Sequence, residues 1–131
     1  MRALYGCDLE SYRLTDFGFS DAENTLPSFM PTGKKATEEN VTRILKSMQT
    51  GIPFCFDYDD FNSQHSILSM QTVMEAWLEV FCEDISEEQI VACKWAISSL
   101  EEMTFNVNGT NYKAYATLFS GWRLTSFINT V

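Results

Sequence analysis

Apolar side chains recur at helical spacing after residue 37, which predicts the first helix of the chain. They stand at i, i+3, i+4 and i+7, the pattern of a single helix face. Thr37 offers a hydroxyl N-cap, and Glu38 and Glu39 place negative charge in the first turn. Gly51 and Pro53 predict its end. The apolar positions are Val41, Ile44, Leu45 and Met48.

A short, almost wholly apolar run follows from Ile52 to Tyr58. Continuous apolar character over so few residues, bounded by Gly51 and by polar residues, is typical of a strand buried on both faces. The pattern therefore predicts a buried β-strand that ends near Asp57.

Two further helices and a hairpin are predicted beyond this run. One helix spans residues 66–81, and a second begins at Ser86, where Gln89 stands three residues on in the capping-box spacing. Asn108-Gly109 between two short runs rich in aromatic and β-branched residues predicts a β-hairpin. The apolar stripes are Ile67, Met70, Met74, Trp77, Leu78 and Phe81 on the first helix, and Ile90, Cys93, Ile97 and Leu100 on the second.

The two ends of the chain carry weaker patterns. Residues 1–36 are expected to be mostly irregular, because Pro27, Pro31 and Gly33 interrupt them. Ser120-Gly121 predicts a turn at the N-terminus of a final helix that continues to Val131 without a cap, as though a parent protein continued. With no internal repeat or second zone of composition, residues 1–131 are predicted to form one α+β unit.

Composition and charge narrow the possible functions. The hydrophobic fraction of 45% suits a packed core, and no apolar run reaches the ~18 residues of a membrane span. The net charge of −9 argues against nucleic-acid binding, but residues 75–102 hold eight acidic residues and one basic residue, so most of it belongs to one pair of helices. The four separated cysteines are expected to be reduced thiols.

Two groups of residues are candidates for chemistry. Asp57 closes the predicted strand and is followed by Asp59 and Asp60, so a rigidly held carboxylate could bind a metal ion, although solvated loop acids are common. Thr125 and Asn129 are four residues apart and would share a helix face after Ser120-Gly121. For that segment the plain alternative is a capping serine on an ordinary helix.

Taken together, three segments resemble conserved motifs of viral RNA-directed RNA polymerases, in particular those of totiviruses and related double-stranded RNA viruses. Residues 2–9 (RALYGCDL) are similar to the end of motif F. Residues 56–66 (FDYDDFNSQHS), in which Asn62 follows Asp57 at the Asp-x-x-x-x-Asn spacing, resemble motif A. Residues 118–129 (LFSGWRLTSFIN), with Ser-Gly-x-x-x-Thr-x-x-x-Asn, resemble motif B. The three occur in the family order.

This resemblance implies a partial right-hand polymerase, with short strands packed against three to four helices. Residues 1–50 would be a fingers segment and residues 51–131 the part of the palm that holds motifs A and B. It implies templated nucleotidyl transfer from NTPs to RNA, assisted by two Mg²⁺ or Mn²⁺ ions. The expected partners are RNA template and product, NTPs and the remainder of the polymerase, in a viral particle or host cytoplasm, with no membrane.

The resemblance also assigns roles to individual residues. Asp57 would be catalytic and bind metal, and Arg2 would neutralise the leaving phosphates. Ser120 and Gly121 would form the loop that tests the nucleotide. Asn62, Thr125 and Asn129 would hydrogen-bond around the ribose 2′-hydroxyl.

Two departures from the family pattern qualify this assignment. Many relatives have Asp at the position of Asn62, although a neutral amide can both donate to a hydroxyl and accept from it. The Gly-Asp-Asp of motif C does not occur in the sequence, so the isolated chain is expected to be inactive. The alternative from another functional class is a non-enzymatic acidic helical module that binds a protein partner. His65 is expected to be a hydrogen-bonded structural histidine.

Overall fold

The computed structural model of the chain describes residues 6–52 and 54–131. The α-helices are α1 (Leu9–Gly18), α2 (Ala22–Thr25), α3 (Glu38–Met48), α4 (Ile67–Phe81), α5 (Glu87–Ser99) and α6 (Thr125–Ile128). Short 3₁₀ turns occupy Gly33–Lys35, Phe61–Gln64 and Leu100–Glu102. Strands β1 (Thr104–Val107) and β2 (Thr110–Lys113) pair as an antiparallel hairpin. The predicted α+β class is confirmed.

The helices predicted from periodicity begin where expected, and each begins at a side-chain cap. Thr37 accepts a hydrogen bond from the Asn40 amide at the start of α3, and Ser66 accepts from the Ser69 amide at the start of α4. Ser86 and Gln89 form the complete capping box of α5. The hairpin turns at Asn108-Gly109, where both residues have positive φ. Local sequence therefore predicted these elements correctly.

The prediction of a mostly irregular N-terminal region is wrong. Asp8 caps α1, whose buried residues are Thr15 and Gly18. Gly18 is so close to α5 that an added Cβ would lie 2.9 Å from the Cys93 backbone nitrogen. The buried positions of α1 are small or polar, so a search for apolar periodicity does not detect them.

The prediction of a buried strand before Asp57 is also wrong. Residues 54–58 lie in no strand, and Ile52 and Phe54 are 99% and 88% exposed. The aromatic rings of residues 54–58 contact one another instead, as in the edge-to-face pair of Phe56 and Tyr58, whose ring centroids lie 4.8 Å apart. A strand becomes buried when other strands or helices pack on it. Among the described residues the one sheet consists of β1 and β2, so residues 54–58 have no neighbouring strand.

The core lies between α4, α5 and the C-terminal segment. Met70, Met74 and Cys93 are fully buried there, and the Trp77 ring packs on Phe19 with centroids 5.1 Å apart. From the C-terminal side the core receives Leu118, Phe119, Trp122, Leu124, Phe127 and Ile128. This packing fixes the backbone on either side of the candidate site. Within the described part of the chain, no helix is long and apolar enough to cross a membrane.

Candidate functional site

Three segments that are far apart in sequence meet at one end of the core. Gly6 and Gly121 form a parallel β-bridge, which joins the motif F segment to the Ser-Gly pair of motif B. The carbonyl of Asn62, in motif A, accepts a hydrogen bond from the Leu118 amide at 2.8 Å. This backbone hydrogen bond holds the motif A and motif B segments side by side.

The side chains of Asn62 and Asn129 complete this junction. The Asn129 Nδ2 donates to Asn62 Oδ1 at 3.1 Å. The Asn129 Oδ1 lies 2.9 Å from His65 Nε2, so His65 is hydrogen-bonded as expected. Asn129 is exposed, whereas Asn62 and His65 are half-buried. The result is a polar row with one edge open to solvent, which can offer amide groups to a small hydroxylated ligand.

Thr125 and Asn129 lie one turn apart, but their surroundings differ. The Asn129 amide donates to the Thr125 carbonyl at 3.0 Å, as their spacing requires. The Thr125 hydroxyl turns back onto the chain, within 2.7 Å of the Phe119 carbonyl and 2.8 Å of the Trp122 carbonyl. Because the hydroxyl donates its proton to these carbonyls, it can take part in a hydrogen bond with a ligand only as the acceptor.

The predicted position of Ser120-Gly121 at a helix N-terminus is wrong. Helix α6 starts at Thr125, after the capping residue Leu124, and ends at Ile128 instead of continuing to Val131. Ser120 and Gly121 are exposed and belong to the preceding loop. The six core residues from Leu118 to Ile128 do not fall on one face of a continuous helix. Because all six are buried, the segment forms loops and a single helical turn. The loop is nevertheless held in place, because Gly121 pairs with Gly6.

Asp57 is exposed, in a segment without regular secondary structure, and its sequence neighbours Phe56 and Tyr58 contact each other through their rings. An exposed carboxylate offers the hard oxygen donors that Mg²⁺ and Mn²⁺ prefer. Residues 6–52 and 54–131 contain no group of three or more His, Cys, Asp or Glu side chains placed to hold a metal ion. The carboxylate of Asp57 is of the chemical type that could hold such an ion, but the described residues do not by themselves form a metal site.

Arg123 is the residue of this region that sequence reasoning missed. Its guanidinium donates through Nη1 to Glu23 Oε1 at 2.7 Å and through Nε to Asp16. Burial by itself would lower the pKa of Arg123, but the hydrogen bonds and charges of Glu23 and Asp16 outweigh burial and raise it. The ion cluster ties the motif B segment to α1 and α2. No local pattern pairs residues this far apart.

A family model described as viral RNA-directed RNA polymerase matches residues 1–131. The chain belongs to this polymerase family. Among the described candidates, the segments that resemble motifs A and B therefore meet through the Asn62–Asn129 hydrogen bond, and Gly121 contacts the segment that resembles the end of motif F. The remaining predicted site residue, Arg2, lies outside the described residues.

Several viral proteins named "Probable RNA-directed RNA polymerase" are similar to the chain. Those of Saccharomyces cerevisiae viruses L-BC and L-A are 46% and 44% identical over 132 and 133 residues, which cover 99% of this chain. That of Leishmania RNA virus 1 - 1 is 33% identical over 138 residues. The chain spans 9% of the length of the two yeast-virus polymerases and 15% of the Leishmania-virus polymerase. No solved structure matches it.

Proposed function

We propose that this chain forms part of the ribonucleotide site of an RNA-directed RNA polymerase, which transfers nucleotides from NTPs to RNA under the direction of an RNA template. The observation that carries the proposal is the hydrogen bond between Asn62 and Asn129, 67 positions apart. Amide side chains can discriminate a ribose hydroxyl from a hydrogen atom because they donate and accept hydrogen bonds.

In this proposal the row of polar groups binds the sugar of the incoming nucleotide. Asn62 and Asn129 contact the 2′-hydroxyl, and Thr125 accepts a hydrogen bond from the sugar through its free lone pairs. Ser120 and Gly121 lie beside the base as the loop that responds to a matched nucleotide. Arg2 would lie near the triphosphate, where a planar guanidinium matches phosphate oxygens.

Asp57 is proposed as a ligand of catalytic Mg²⁺ or Mn²⁺. When bound in a two-ion site, these metals stabilise the attacking and leaving oxygens of an in-line displacement. Asp57 contributes a negatively charged oxygen at an exposed position, close in sequence to the sugar contact Asn62. The remainder of the polymerase would contribute the other ligands.

The acidity of the chain is compatible with an RNA-binding enzyme. Eight of its eighteen acidic residues lie between positions 75 and 102, and the proposed site residues lie outside this range. The relatives are much longer than this chain, so the basic surface that RNA binding requires can lie in other parts of the polymerase. Replication in a viral particle or in host cytoplasm follows from the viral relatives as part of the same proposal. The alternative of a non-enzymatic acidic module has no comparable support from the match over 131 residues.

Replacing Asp57 by Asn in the complete polymerase tests the proposal. The substitution keeps the size of the side chain and removes the charge that a metal ligand needs. We expect template-dependent NMP incorporation to fall by at least about a thousandfold with either Mg²⁺ or Mn²⁺, since one lost interaction with developing charge typically costs 10²–10³ and a metal ligand costs more.

Asp59→Asn is the matched control, because Asp59 is an exposed carboxylate two residues away. We expect the Asp59→Asn polymerase to retain activity within about threefold, since surface substitutions usually cost little. Near-normal incorporation by the Asp57→Asn polymerase would show that the metal assignment is wrong. The 131-residue chain by itself is expected to incorporate no nucleotide, and incorporation by it would contradict the partial-enzyme proposal.

A further inference from the structure

We propose that the groove between α4 and α5 is the docking site of a basic amphipathic helix from the remainder of the polymerase polypeptide. The residues that line the groove lie between positions 71 and 101, and none of them is a proposed residue of the nucleotide site. The inference therefore adds an interaction surface to the molecule, and it does not depend on the nucleotide contacts of Asn62 and Asn129.

The two walls of the groove are matched in length. On α4 and its C-cap the lining residues stand at i, i+4, i+7, i+8 and i+11 from Gln71, and on α5 and the turn after it the same spacing repeats from Ile90. Each set lies on one helix face. Eleven residues of α-helix rise by about 16 Å, so both walls extend for about three turns. The groove has a volume of about 670 Å³, and a third helix of similar length can lie along it.

The floor of the groove is apolar and incompletely covered. It contains Ile97, which is 8% exposed, and the half-buried side chains of Leu78 and Ile90. Ile90 lies outside the core cluster that the described residues form. The apolar stripes of the two helices are thus wider than the packing within this chain uses. Covering the remaining apolar surface with a partner would be favourable.

The rim of the groove is acidic and lacks cationic partners. Glu75, Glu79 and Glu101 line it and are exposed, whereas Lys94 is the one basic lining residue, so the lining carries a net charge of −2. Among the described residues, none of the three carboxylates forms an ion pair. An occupant with positive charge on both sides of an apolar stripe would complement this rim and this floor together.

Charge and shape select the chemistry of the occupant. RNA and anionic lipid head groups carry negative charge, which the rim repels. A helix with apolar residues at i, i+3, i+4 and i+7 would fill the floor, and flanking Lys or Arg side chains would reach the carboxylates with their charged ends.

The length of the relatives favours an occupant from the same polypeptide. This chain spans 9% of the two yeast-virus polymerases, so most of such a polypeptide lies outside it. A segment that is covalently joined to the groove docks at a high effective concentration, which a separate protein does not have. The occupant is therefore assigned to the polymerase itself.

Photo-crosslinking in the complete polymerase identifies the occupant. Ser98, an exposed lining residue, is replaced by p-benzoylphenylalanine, which couples on irradiation to C–H bonds of its nearest neighbours. Mass spectrometry should find one segment of the same polypeptide in which Lys or Arg flanks apolar residues at helical spacing. Thr72 is the control position, because it is exposed on α4 but does not line the groove. A probe at Thr72 should not label that segment.

Charge reversal tests whether the acidic rim holds the segment. We expect Glu75→Lys/Glu79→Lys to lower the yield of the crosslink from position 98 about tenfold, because two favourable contacts become repulsive. Glu83→Lys/Glu102→Lys makes the same charge change at exposed positions outside the groove, and its yield should stay within about twofold. Replacing the basic residues of the segment by Glu should restore the crosslink in the Glu75→Lys/Glu79→Lys polymerase, which also shows that this variant is folded.

Four outcomes would overturn the proposal. They are a labelled segment without basic residues, a crosslink to a second polymerase molecule or to another protein, no crosslink to protein from position 98, and equal losses in the two double variants. The Asp57→Asn assay of nucleotide incorporation is independent of all four, so the docking site and the proposed function can fail separately.

Discussion

Arg123 donates a hydrogen bond to Glu23 at 2.7 Å, although 100 positions separate the two residues. The side chains are 18% and 11% exposed, so the pair is largely removed from water. A partly buried pair of this kind contributes most clearly when one partner is missing, because the other is left as an uncompensated charge. The pair therefore links the motif B segment to α2 by an interaction that is costly to break.

Replacing Arg123 by Met should loosen the contact between the motif B segment and the N-terminal helices. We expect a local destabilisation of about 3 kcal/mol, because Glu23 keeps its charge without a partner. In the complete polymerase this corresponds to amide hydrogen exchange in α1 and α2 that is about a hundredfold faster. The measurement is hydrogen exchange followed by mass spectrometry.

Lys34→Met is the control for that experiment. Lys34 pairs with Asp21 at 3.5 Å, and their side chains are 81% and 68% exposed. Exposed pairs are worth about 0–1 kcal/mol, so exchange should change little. If amide exchange in α1 and α2 is as slow in the Arg123→Met polymerase as in the Lys34→Met polymerase, the ion pairs of Arg123 do not stabilise the contact between the motif B segment and these helices.

The thiol of Cys93 should be protected and should make the fold sensitive to alkaline pH. Burial raises the pKa of Cys93 to about 11, and the fully buried Sγ lies 3.1 Å from the Gly18 carbonyl. In the unfolded chain a cysteine loses its proton near pH 9. Between pH 9 and about 11 the folded state therefore binds more protons than the unfolded state, and stability falls as pH rises through this window.

Thiol alkylation and thermal unfolding check this expectation. At pH 8, the exposed Cys55 should react at least about a hundredfold faster than Cys93, because Cys93 must first be exposed by local opening. In Cys93→Ala, part of the loss of Tm between pH 9 and pH 11 should disappear. Equal alkylation rates for Cys55 and Cys93, or an unchanged pH dependence, would contradict the structure around Cys93.

The exposed aromatic residues between positions 54 and 58 should determine the solubility of the isolated chain. Phe54 and Phe56 are 88% and 67% exposed, in an irregular segment with no strand partner among the described residues. Exposed, unpaired apolar segments of this kind promote aggregation. We expect the 131-residue chain to aggregate, and the Phe54→Ser/Phe56→Ser double variant to increase its soluble fraction severalfold. Ultracentrifugation of the two chains measures the difference.

Phe29→Ser provides the comparison, because Phe29 is 66% exposed and lies outside this run. If aggregation depends on the run, Phe29→Ser should leave the soluble fraction nearly unchanged. If the unmodified chain is monodisperse, or if Phe29→Ser increases the soluble fraction equally, the aromatic residues between positions 54 and 58 are not the cause of aggregation.

Elements whose signals are local could be predicted from sequence. Helices α3, α4 and α5 begin at hydroxyl caps and carry apolar stripes, and the hairpin turns at Asn108-Gly109. Capping, helical periodicity and positive φ involve residues a few positions apart, so a single sequence contains all the information they need. The segments that resemble polymerase motifs can be identified for the same reason, because the spacing within each segment is local.

Other features depended on contacts that no local pattern contains. Helix α1 packs on α5 through Gly18 and Cys93, with too little apolar periodicity to reveal its buried face. The run before Asp57 looks like a buried strand, yet burial requires neighbours that the described residues do not provide. The bond between Asn62 and Asn129 joins distant positions through the folded core. Packing is a property of several segments together, and so only the tertiary structure could decide these three features.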